Sequence, residues 1–315
     1  MDCCHPGTAC PEATGLAKRF DRCGTGGVGA IPAGSLGSRP PSARAIANIG
    51  LLADVRRIQT RRHGRYGSPR LHAALRAEGR KYTRGRVERP MRRYRIRVLA
   101  GRRFRPCITD SRHYLPIAPN LLAQRFVAPA PNRIWLADIT YIAIGEGWLY
   151  LAAVLELATR KIVGWALRDN MRTELPLAAL MMVAQRQRPA PGLVHHSDRG
   201  SQYTAGGYVD YRAAIGATAS MSRTGNCYDN APMESFFHPL KVELVHQCQW
   251  ATRAEARQLL FGYIEGYYNR SRKHSALGYL TPEQAEQRMT GQPRCPHNRG
   301  DDHSDLGDND EDGGD

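Results

Sequence analysis

The chain has 315 residues, of which 42% are hydrophobic, and its 45 Lys and Arg residues against 29 Asp and Glu residues give a net charge of +16. The densest apolar run, Leu175 to Ala184, is shorter than the roughly 18–20 residues that a membrane span needs, and the first residues lack the pattern of a signal peptide. The eight cysteines are irregularly spaced, which excludes a small disulfide-rich fold, so we expect a soluble, intracellular, basic protein of about two domains.

The charge is distributed unevenly along the chain. Residues 56–105 contain 19 Lys and Arg residues but only two acids, Glu78 and Glu88, whereas residues 301–315 contain eight acids and no Lys or Arg. A block that basic is typical of a surface that neutralises nucleic-acid phosphates. It is also compatible with an ordinary solvated face. The acidic end is expected to be disordered, because like charges repel one another.

The first half of the chain predicts a small helical domain. Residues 1–43 are rich in Gly and Pro, and we expect them to be unstructured. Residues 44–105 predict a helix from Arg44 with apolar residues such as Ile46 and Ile49 three or four apart, a short helix capped by Ser68, and a third capped by Thr83. This is the order of a helix-turn-helix DNA reader, although a basic three-helix cap without groove specificity would have the same pattern. The third helix carries the arginines predicted to contact DNA: Arg84, Arg86, Arg89, Arg92 and Arg93.

The second half of the chain predicts an α/β domain. Residues 106–130 contain several prolines and are interpreted as a linker, residues 131–288 as the main domain, and residues 289–315 as an acidic disordered tail. Three β-like runs separated by short turns predict an antiparallel meander. A helix, a buried strand, a helix, another strand and two long helices follow, which is the order of a layered α/β domain. The three runs are 134–144, 148–157 and 161–168.

Three carboxylates occupy positions where this architecture would expose them at one edge of the sheet. Asp138 lies in the first strand, where its neighbours Ala137 and Ile139 point to the opposite face. Asp198 comes just beyond the fourth strand, which is where open sheets position ligand groups. Glu234 lies on the first turn of a helix. We therefore predict that these acids act together.

Other polar residues lie beside these carboxylates. Lys241 follows Glu234 by two helical turns on the same side of the helix. We interpret His195 and His196 as strand residues rather than ligands. Arg272 and Lys273 belong to a basic stretch that either follows a phosphate backbone or forms a solvated helix end.

Long motifs make the chain resemble a known family. Residues 131–283 resemble the catalytic core of bacterial insertion-sequence transposases of the retroviral-integrase superfamily, of the type whose second reading frame encodes the catalytic subunit. With a weaker match upstream in HGRYGSPRLHAALRAEG, the resemblance covers about three quarters of the chain. The motifs that carry it are NRIWLADITYI, GEGWLYLAAVLELATRKIVGW, HHSDRGSQY, SMSRTGNCYDNAPMESFF and YYNRSRKHSALGYLTPEQAE.

The resemblance implies both a fold and a reaction. The fold is a ribonuclease-H-like integrase core, with a mixed five-stranded sheet and helices, preceded by a small all-α helix-turn-helix-like domain. Asp138, Asp198 and Glu234 would be the catalytic and metal-binding triad for Mg²⁺, with Mn²⁺ as a substitute, and Lys241 would contact the transposon end. The reaction would be strand cleavage and strand transfer of DNA.

The resemblance also implies partners and a location. The partners would be element ends and target DNA, further copies of this chain on the DNA, and a first-frame helix-turn-helix subunit. We expect a bacterial cytoplasmic protein that associates with the nucleoid and has no membrane segment.

Several positions depart from the family pattern. Pro90 and Pro239 fall inside predicted helices, and Pro90 is expected to break the third helix. Glu156 stands where an aspartate is usual, and both termini are atypical. These departures keep open a second hypothesis, a catalytically inactive DNA-binding relic. A plain ribonuclease-H-type nuclease is a third, but it does not account for the helix-turn-helix segment.

Overall fold

The computed structural model describes residues 42–99 and 116–291. The expected disorder of residues 1–43 and 289–315 falls almost entirely outside this range. By packing, the chain divides into two units, Met1–Ala53 and Asp54–Asp315, with the boundary inside the first helix. Within the described ranges, no helix is long and apolar enough to cross a membrane.

Within residues 42–99, the structure has three helices before the sheet: α1 (Ala43–Arg61), α2 (Ser68–Ala77) and α3 (Arg84–Arg93). Leu71 and Leu75 of α2 are buried, as are Val87 and Met91 of α3, and these two helices pack against each other. The Thr83 side chain accepts the Arg86 N–H and caps α3 as predicted.

The helix predicted from Arg44 is present as α1, although Ile46 and Ile49 near its start are 57% and 66% exposed. The predicted cap of the second helix is wrong. The N-cap of α2 is Gly67 rather than Ser68, and no side chain caps this helix. Pro69, next in the chain, lies in the first turn, where a missing N–H costs no hydrogen bond.

The prolines inside helices do not end them. α3 continues through Pro90, and α7 (Ala231–Glu243) continues through Pro239. Each proline removes one donor, to the carbonyl of Arg86 and of Ser235 respectively. The Pro239 ring is buried, and the burial of its apolar surface offsets part of that loss. The expectation that Pro90 breaks the third helix is therefore wrong.

The main domain follows the predicted order closely. The helix Arg253–Phe261 continues as a π-helical stretch, Gly262–Tyr268, and a 3₁₀ turn, Cys227–Asn230, precedes α7. Residues 116–133 contain neither helix nor strand. The strands are β1 (Ile134–Ile144), β2 (Gly147–Glu156), β3 (Ile162–Arg168), β4 (Val194–Ser197) and β5 (Thr218–Met221). The helices after β3 are α4 (Glu174–Gln187), α5 (Ser201–Thr204), α6 (Gly206–Ala214), α7 (Ala231–Glu243), α8 (Arg253–Phe261) and α9 (Pro282–Thr290).

The strands form one mixed sheet in the order β3-β2-β1-β4-β5. β1, β2 and β3 are the predicted antiparallel meander, and β4 and β5 are parallel to β1 and to each other. Each face of the sheet carries its own core. Leu136 and Ile142 of β1 pack with α7 and α8, whereas Trp135 and Ala137 pack with α4 and α6. The mixed five-stranded sheet with helices that the resemblance implied is confirmed.

Two polar side chains form hydrogen bonds with backbone groups that have no partner within the sheet. Glu156, at the end of β2, accepts the N–H groups of Asn132, Ala158 and Thr159, so the unusual residue closes the β2–β3 turn. Asn269 accepts the Ile162 N–H and donates to the Ile162 carbonyl, both at 2.9 Å. Because β3 is an edge strand, Ile162 finds no further strand partner there, and the buried amide stands in for one.

We predict that Asn269→Ala lowers the free energy of unfolding by about 2–3 kcal/mol, because two buried backbone groups of Ile162 lose their partners. Urea denaturation of the full chain measures this change. The control is Asn170→Ala, which removes an exposed amide bonded only to Asp169 and is expected to change stability by less than about 0.5 kcal/mol. Equal effects of the two substitutions would contradict the role given to Asn269.

Candidate active site

The register of the sheet brings Asp138 and Asp198 together. β1 and β4 run parallel, and their pairing ends at Leu136 and His196, which lie side by side. Asp138 and Asp198 are each two residues further along, so both extend from the same end of the parallel pair. Asp138 points to the same face as Leu136 and Ile142, since Ala137 and Ile139 belong to the opposite core.

A tight turn holds the Asp198 carboxylate. Its Oδ1 accepts the Gly200 N–H at 3.0 Å, immediately before α5. A Cβ atom at Gly200 would lie 3.1 Å from this oxygen and 2.9 Å from Gln202 Oε1. A larger residue at position 200 would therefore require the Gln202 and Asp198 side chains to shift. The next residue, Arg199, donates to the Ser222 carbonyl and to Thr224 Oγ1 at 2.7 Å each, which ties this turn to the loop after β5.

The start of α7 is attached to β1 beside Asp138. Asn230 Nδ2 donates to the Ala137 carbonyl at 3.4 Å, and α7 begins at the next residue, Ala231. Glu234 therefore lies on the first turn of a helix whose start is hydrogen-bonded to the residue before Asp138. It is on the exposed side of α7, away from the buried residues Met233, Phe236, Phe237 and Leu240.

The electrostatics of Asp138 reflect the two other acids. Its pKa is raised well above the usual range by burial, then by the negative charge of Asp198, and to a smaller extent by that of Glu234. The Lys241 ammonium acts in the opposite direction, and its Nζ lies 5.2 Å from the centre of the Tyr141 ring. Within residues 42–99 and 116–291, however, no three His, Cys, Asp or Glu side chains are close enough to form a ready-made metal site.

Asp229 organises the loop before α7, although nothing in the neighbouring residues marks it as a site residue. It is 0% exposed, and its carboxylate accepts the Arg223 N–H, Nε and Nη2 at 2.8–2.9 Å. It also accepts Asn120 Nδ2 at 2.9 Å and Gln124 Nε2 at 3.0 Å. The hydrogen bonds and charge of Arg223 hold the Asp229 pKa far below its usual range. This one carboxylate thus joins the segment before β1 to the loop that carries Glu234.

The two histidines before Asp198 belong to the interior. His195 hydrogen-bonds with the Tyr208 hydroxyl at 3.0 Å, and His196 with Ser220 Oγ at 2.8 Å and Ser222 Oγ at 3.1 Å. Burial lowers the pKa of His195 to about 3 and that of His196 to about 4, so both are neutral near pH 7. These contacts agree with their interpretation as strand residues.

The predicted DNA contacts of α3 lie on its outer face. Arg84, Arg89, Arg92 and Arg93 are exposed and Arg86 is half-buried. Arg92 pairs with Glu88 at 2.9 Å, the Arg86 guanidinium lies 5.2 Å from the Tyr82 ring, and that of Arg93 lies 5.7 Å from the Tyr94 ring. In the described part of the chain, Arg84 and Arg89 form no ion pair. One face of α3 is therefore cationic, and the opposite face is buried at Val87 and Met91.

Arg272 must be removed from the predicted DNA contacts. It is only 6% exposed, and its Nη2 donates to Glu243 Oε1 at 3.1 Å, so its guanidinium neutralises a buried carboxylate. Lys273 is half-buried, and its Nζ donates to the Tyr279 carbonyl at 3.3 Å. A run of basic residues predicts a charged surface, but it does not reveal that Arg272 has an acidic partner, Glu243, 29 residues away in the chain.

Comparison with known proteins identifies the class. Residues 47–104 match the model of an HTH-like domain, and residues 128–227 and 215–282 match two models of an integrase core domain. Together with the mixed sheet and the three acids, these matches define a ribonuclease-H-like integrase core preceded by a helix-turn-helix-like domain. The HTLV-2 integrase catalytic core domain in complex with magnesium is 13% identical and covers 50% of this chain and 98% of that chain, with a TM-score of 0.39.

Two bacterial relatives identify the family. The "Insertion element IS600 uncharacterized 31 kDa protein" of Shigella sonnei is 45% identical over 242 residues, which cover 77% of this chain and 89% of the relative. "Transposase InsF for insertion sequence IS3A" of Escherichia coli (strain K12) is 43% identical over 227 residues, covering 72% and 78% respectively. The chain belongs to the IS3-type insertion-sequence transposases, which are DDE polynucleotidyl transferases.

We predict that Asp229→Asn lowers the free energy of unfolding by about 2–3 kcal/mol near neutral pH, because the substitution removes charge-assisted hydrogen bonds. The folded-state pKa of Asp229 lies below the unfolded value. Its stabilisation is therefore fully present above pH ~4 and is lost as the pH falls towards the folded value.

Urea denaturation from pH 8 to pH 3 tests this prediction, with the exposed Asp210→Asn as the matched control. The gap between wild type and Asp229→Asn should be constant down to about pH 5 and shrink below about pH 4. A gap that widens on acidification would contradict it.

Proposed function

We propose that Asp138, Asp198 and Glu234 form one divalent-metal-dependent site, at which this transposase cuts a DNA strand at the ends of its element and joins the freed end to a target. The observation that carries the proposal is the pairing of Leu136 with His196. Asp138 and Asp198 follow this pair by two residues each, and the hydrogen bond from Asn230 to Ala137 attaches the start of the helix that carries Glu234 to β1.

The three side chains fit a hard cation. Their ligands are carboxylate oxygens, which Mg²⁺ prefers, and Mg²⁺ keeps several waters rather than requiring a closed protein cage. Burial is the main cause of the raised pKa of Asp138, and the negative charges of Asp198 and Glu234 raise it further. A bound dication would relieve that repulsion. When bound, a pair of such ions would activate the attacking oxygen and stabilise the leaving oxygen of a phosphodiester.

The residues of the chain have distinct tasks in this proposal. The carboxylates would hold the metal ions that bind the reacting phosphodiester, first for attack by water and then for attack of the freed 3′-hydroxyl on target DNA. One site serves both reactions, because only the nucleophile changes. The Lys241 ammonium, beside Asp138, contacts a phosphate of the element end. Its burial lowers the pKa, and the Asp138 charge counteracts this change.

The arginines of α3 supply affinity for the duplex. We propose that Arg84, Arg89 and Arg93 contact phosphates or base edges along a groove, with Arg86 and Arg92 beside them. A helix that is cationic on one face and packed on the other is the usual form of a groove-reading helix. Lys273 remains a candidate for a further phosphate contact.

We also propose the assembly in which this reaction takes place. Two ends of an element must be cut together, so we propose that several copies of this chain assemble on the DNA, with a first-frame helix-turn-helix subunit as a further partner. The reaction takes place in the bacterial cytoplasm, at the nucleoid where the DNA substrate lies.

The alternative is a catalytically inactive, DNA-binding relic of a transposase. The unbroken helices at Pro90 and Pro239 and the hydrogen bonds of Glu156 favour the active enzyme, because these departures are accommodated. A simple ribonuclease-H-type nuclease would not need the basic face of α3.

We predict that Asp138→Asn, Asp198→Asn and Glu234→Gln each reduce Mg²⁺-dependent strand cleavage at least about a hundred-fold and change DNA affinity little, because these acids hold metal rather than DNA. A cleavage assay on the inverted repeats that flank the gene measures the first effect, and a gel-shift titration measures the second. Asp210→Asn is the control, and its cleavage should equal that of wild type. A triad variant with wild-type cleavage would remove that residue from the site.

We predict that Arg84→Ala and Arg89→Ala each weaken duplex binding by the full chain and reduce its salt dependence. The slope of log affinity against log salt should fall by about 0.9 for each phosphate that the variant no longer neutralises. The exposed Arg288→Ala in α9 is the control and should leave the slope unchanged. If neither substitution in α3 alters the slope, the basic face of this helix is not the phosphate-binding surface.

A further inference from the structure

An aromatic side chain stands exposed at the edge of the carboxylate site. Tyr228 is 69% exposed and lies in the 3₁₀ turn Cys227–Asn230, six residues before Glu234. In the ranges that the structure describes, no other ring and no cation packs on it. Single exposed aromatics are common on protein surfaces, so exposure alone assigns no function to Tyr228.

What distinguishes Tyr228 is the rigidity of its backbone. Its N–H donates to Asn226 Oδ1 at 3.1 Å, which caps the turn. The next residue is Asp229, fully buried with five hydrogen bonds to three side chains and one backbone N–H. The residue after that is Asn230, bonded to the Ala137 carbonyl. An exposed ring on a turn this firmly held loses little conformational entropy when something packs on it.

The same contacts fix where the ring stands. Asn230 touches the backbone of β1 one residue before Asp138, and α7 begins one residue later. Tyr228 therefore lies within two residues of the junction between the strand of one catalytic acid and the helix of another. Arg223, 55% exposed and paired with Asp229 at 2.8 Å, adds a guanidinium beside this turn.

The reaction creates a need for such a ring. A phosphodiester at the end of a duplex reaches the half-buried Asp138 and Asp198 more easily when the terminal base pairs are opened. The unpaired bases then lose their stacking partners. An aromatic side chain replaces one of them, and it does so for any base, because every base has a π face. A neighbouring guanidinium favours the approach of the phosphate backbone.

We propose that the Tyr228 ring is a stacking site for an unpaired nucleobase at the DNA end that enters the active site. This inference rests on the proposed function and adds a specific nucleobase subsite to it. The ring, not the hydroxyl, carries the interaction. Tyr228 is a binding residue that holds the end open beside Asp138 and Glu234.

The test compares the affinity of the full chain for two DNA probes in EDTA, where no cleavage occurs. One probe is a fully paired duplex, and the other is the same duplex with a few unpaired nucleotides at one end. We expect wild type to bind the open end about ten-fold more tightly, equivalent to about 1.4 kcal/mol. Tyr228→Phe should keep this preference, and Tyr228→Ser and Tyr228→Leu should lose it, with affinity for the paired duplex unchanged.

Two controls separate stacking from indirect effects. Phe261→Ser removes another exposed ring, 53% exposed at the end of α8, and should retain the preference. A 2-aminopurine at the unpaired terminal position should be quenched by wild type and by Tyr228→Phe only. Tyr228→Leu keeps an apolar side chain of similar size, so it remains informative if the serine variant folds poorly.

The proposal is overturned if wild type shows no preference for the open end, or if Tyr228→Ser and Tyr228→Leu retain it. These outcomes are distinguishable from failure of the proposed function. Asp138→Asn should keep the open-end preference, since binding in EDTA does not require metal. An open-end preference in a protein whose triad variants still cleave DNA would contradict the catalytic assignment and leave the stacking site intact.

Discussion

The position of Glu234 relative to Asp138 and Asp198 depends on how α7 is held. A buried carboxylate holds each end of this helix. At the start, Asp229 gathers Arg223 together with the Asn120 and Gln124 side chains. At the other end, Glu243 accepts the Tyr263 hydroxyl at 2.9 Å and Arg272 Nη2 at 3.1 Å, with Arg70 of α2 at 3.7 Å. Separating the partners of such a buried pair would leave an uncompensated charge. Each cluster therefore favours one position for its end of α7.

These two clusters also connect the helical segment to the site. Arg70 Nε donates to the Lys273 carbonyl at 3.0 Å, and the Tyr66 hydroxyl donates to the Ser271 carbonyl at 2.8 Å. The segment that precedes α3 is therefore bonded to the residues on either side of Arg272. Arg272 in turn pairs with Glu243, at the end of the helix that carries Glu234 and Lys241. Basic residues of this protein therefore have at least two roles: most arginines of α3 are exposed, whereas Arg70 and Arg272 pair with the buried Glu243.

Much of this arrangement could be predicted from the sequence. The first three strands are apolar runs separated by short turns, and the observed bounds of all five strands lie within a residue or two of the predicted ones. The orientation of Asp138 followed from the alternation of its neighbours. The cluster around Asp229 could not be predicted, because two of its three partners lie 105 and 109 residues away and local sequence does not encode such contacts. Arg272 was misjudged for the same reason, and Pro90 because the general cost of proline ignores how one helix accommodates the missing donor.

The central claim is that three acids from three elements bind one metal centre. Replacing Mg²⁺ with Fe²⁺ and generating hydroxyl radicals at the bound ion cuts the main chain beside its ligands, and mass spectrometry locates the cuts. The account predicts cuts clustered in β1 near Asp138, in the turn at Asp198 and in the first turn of α7, all of them suppressed together by Asp138→Asn. Cuts confined to one of these elements, or located elsewhere and unaffected by that substitution, would contradict it.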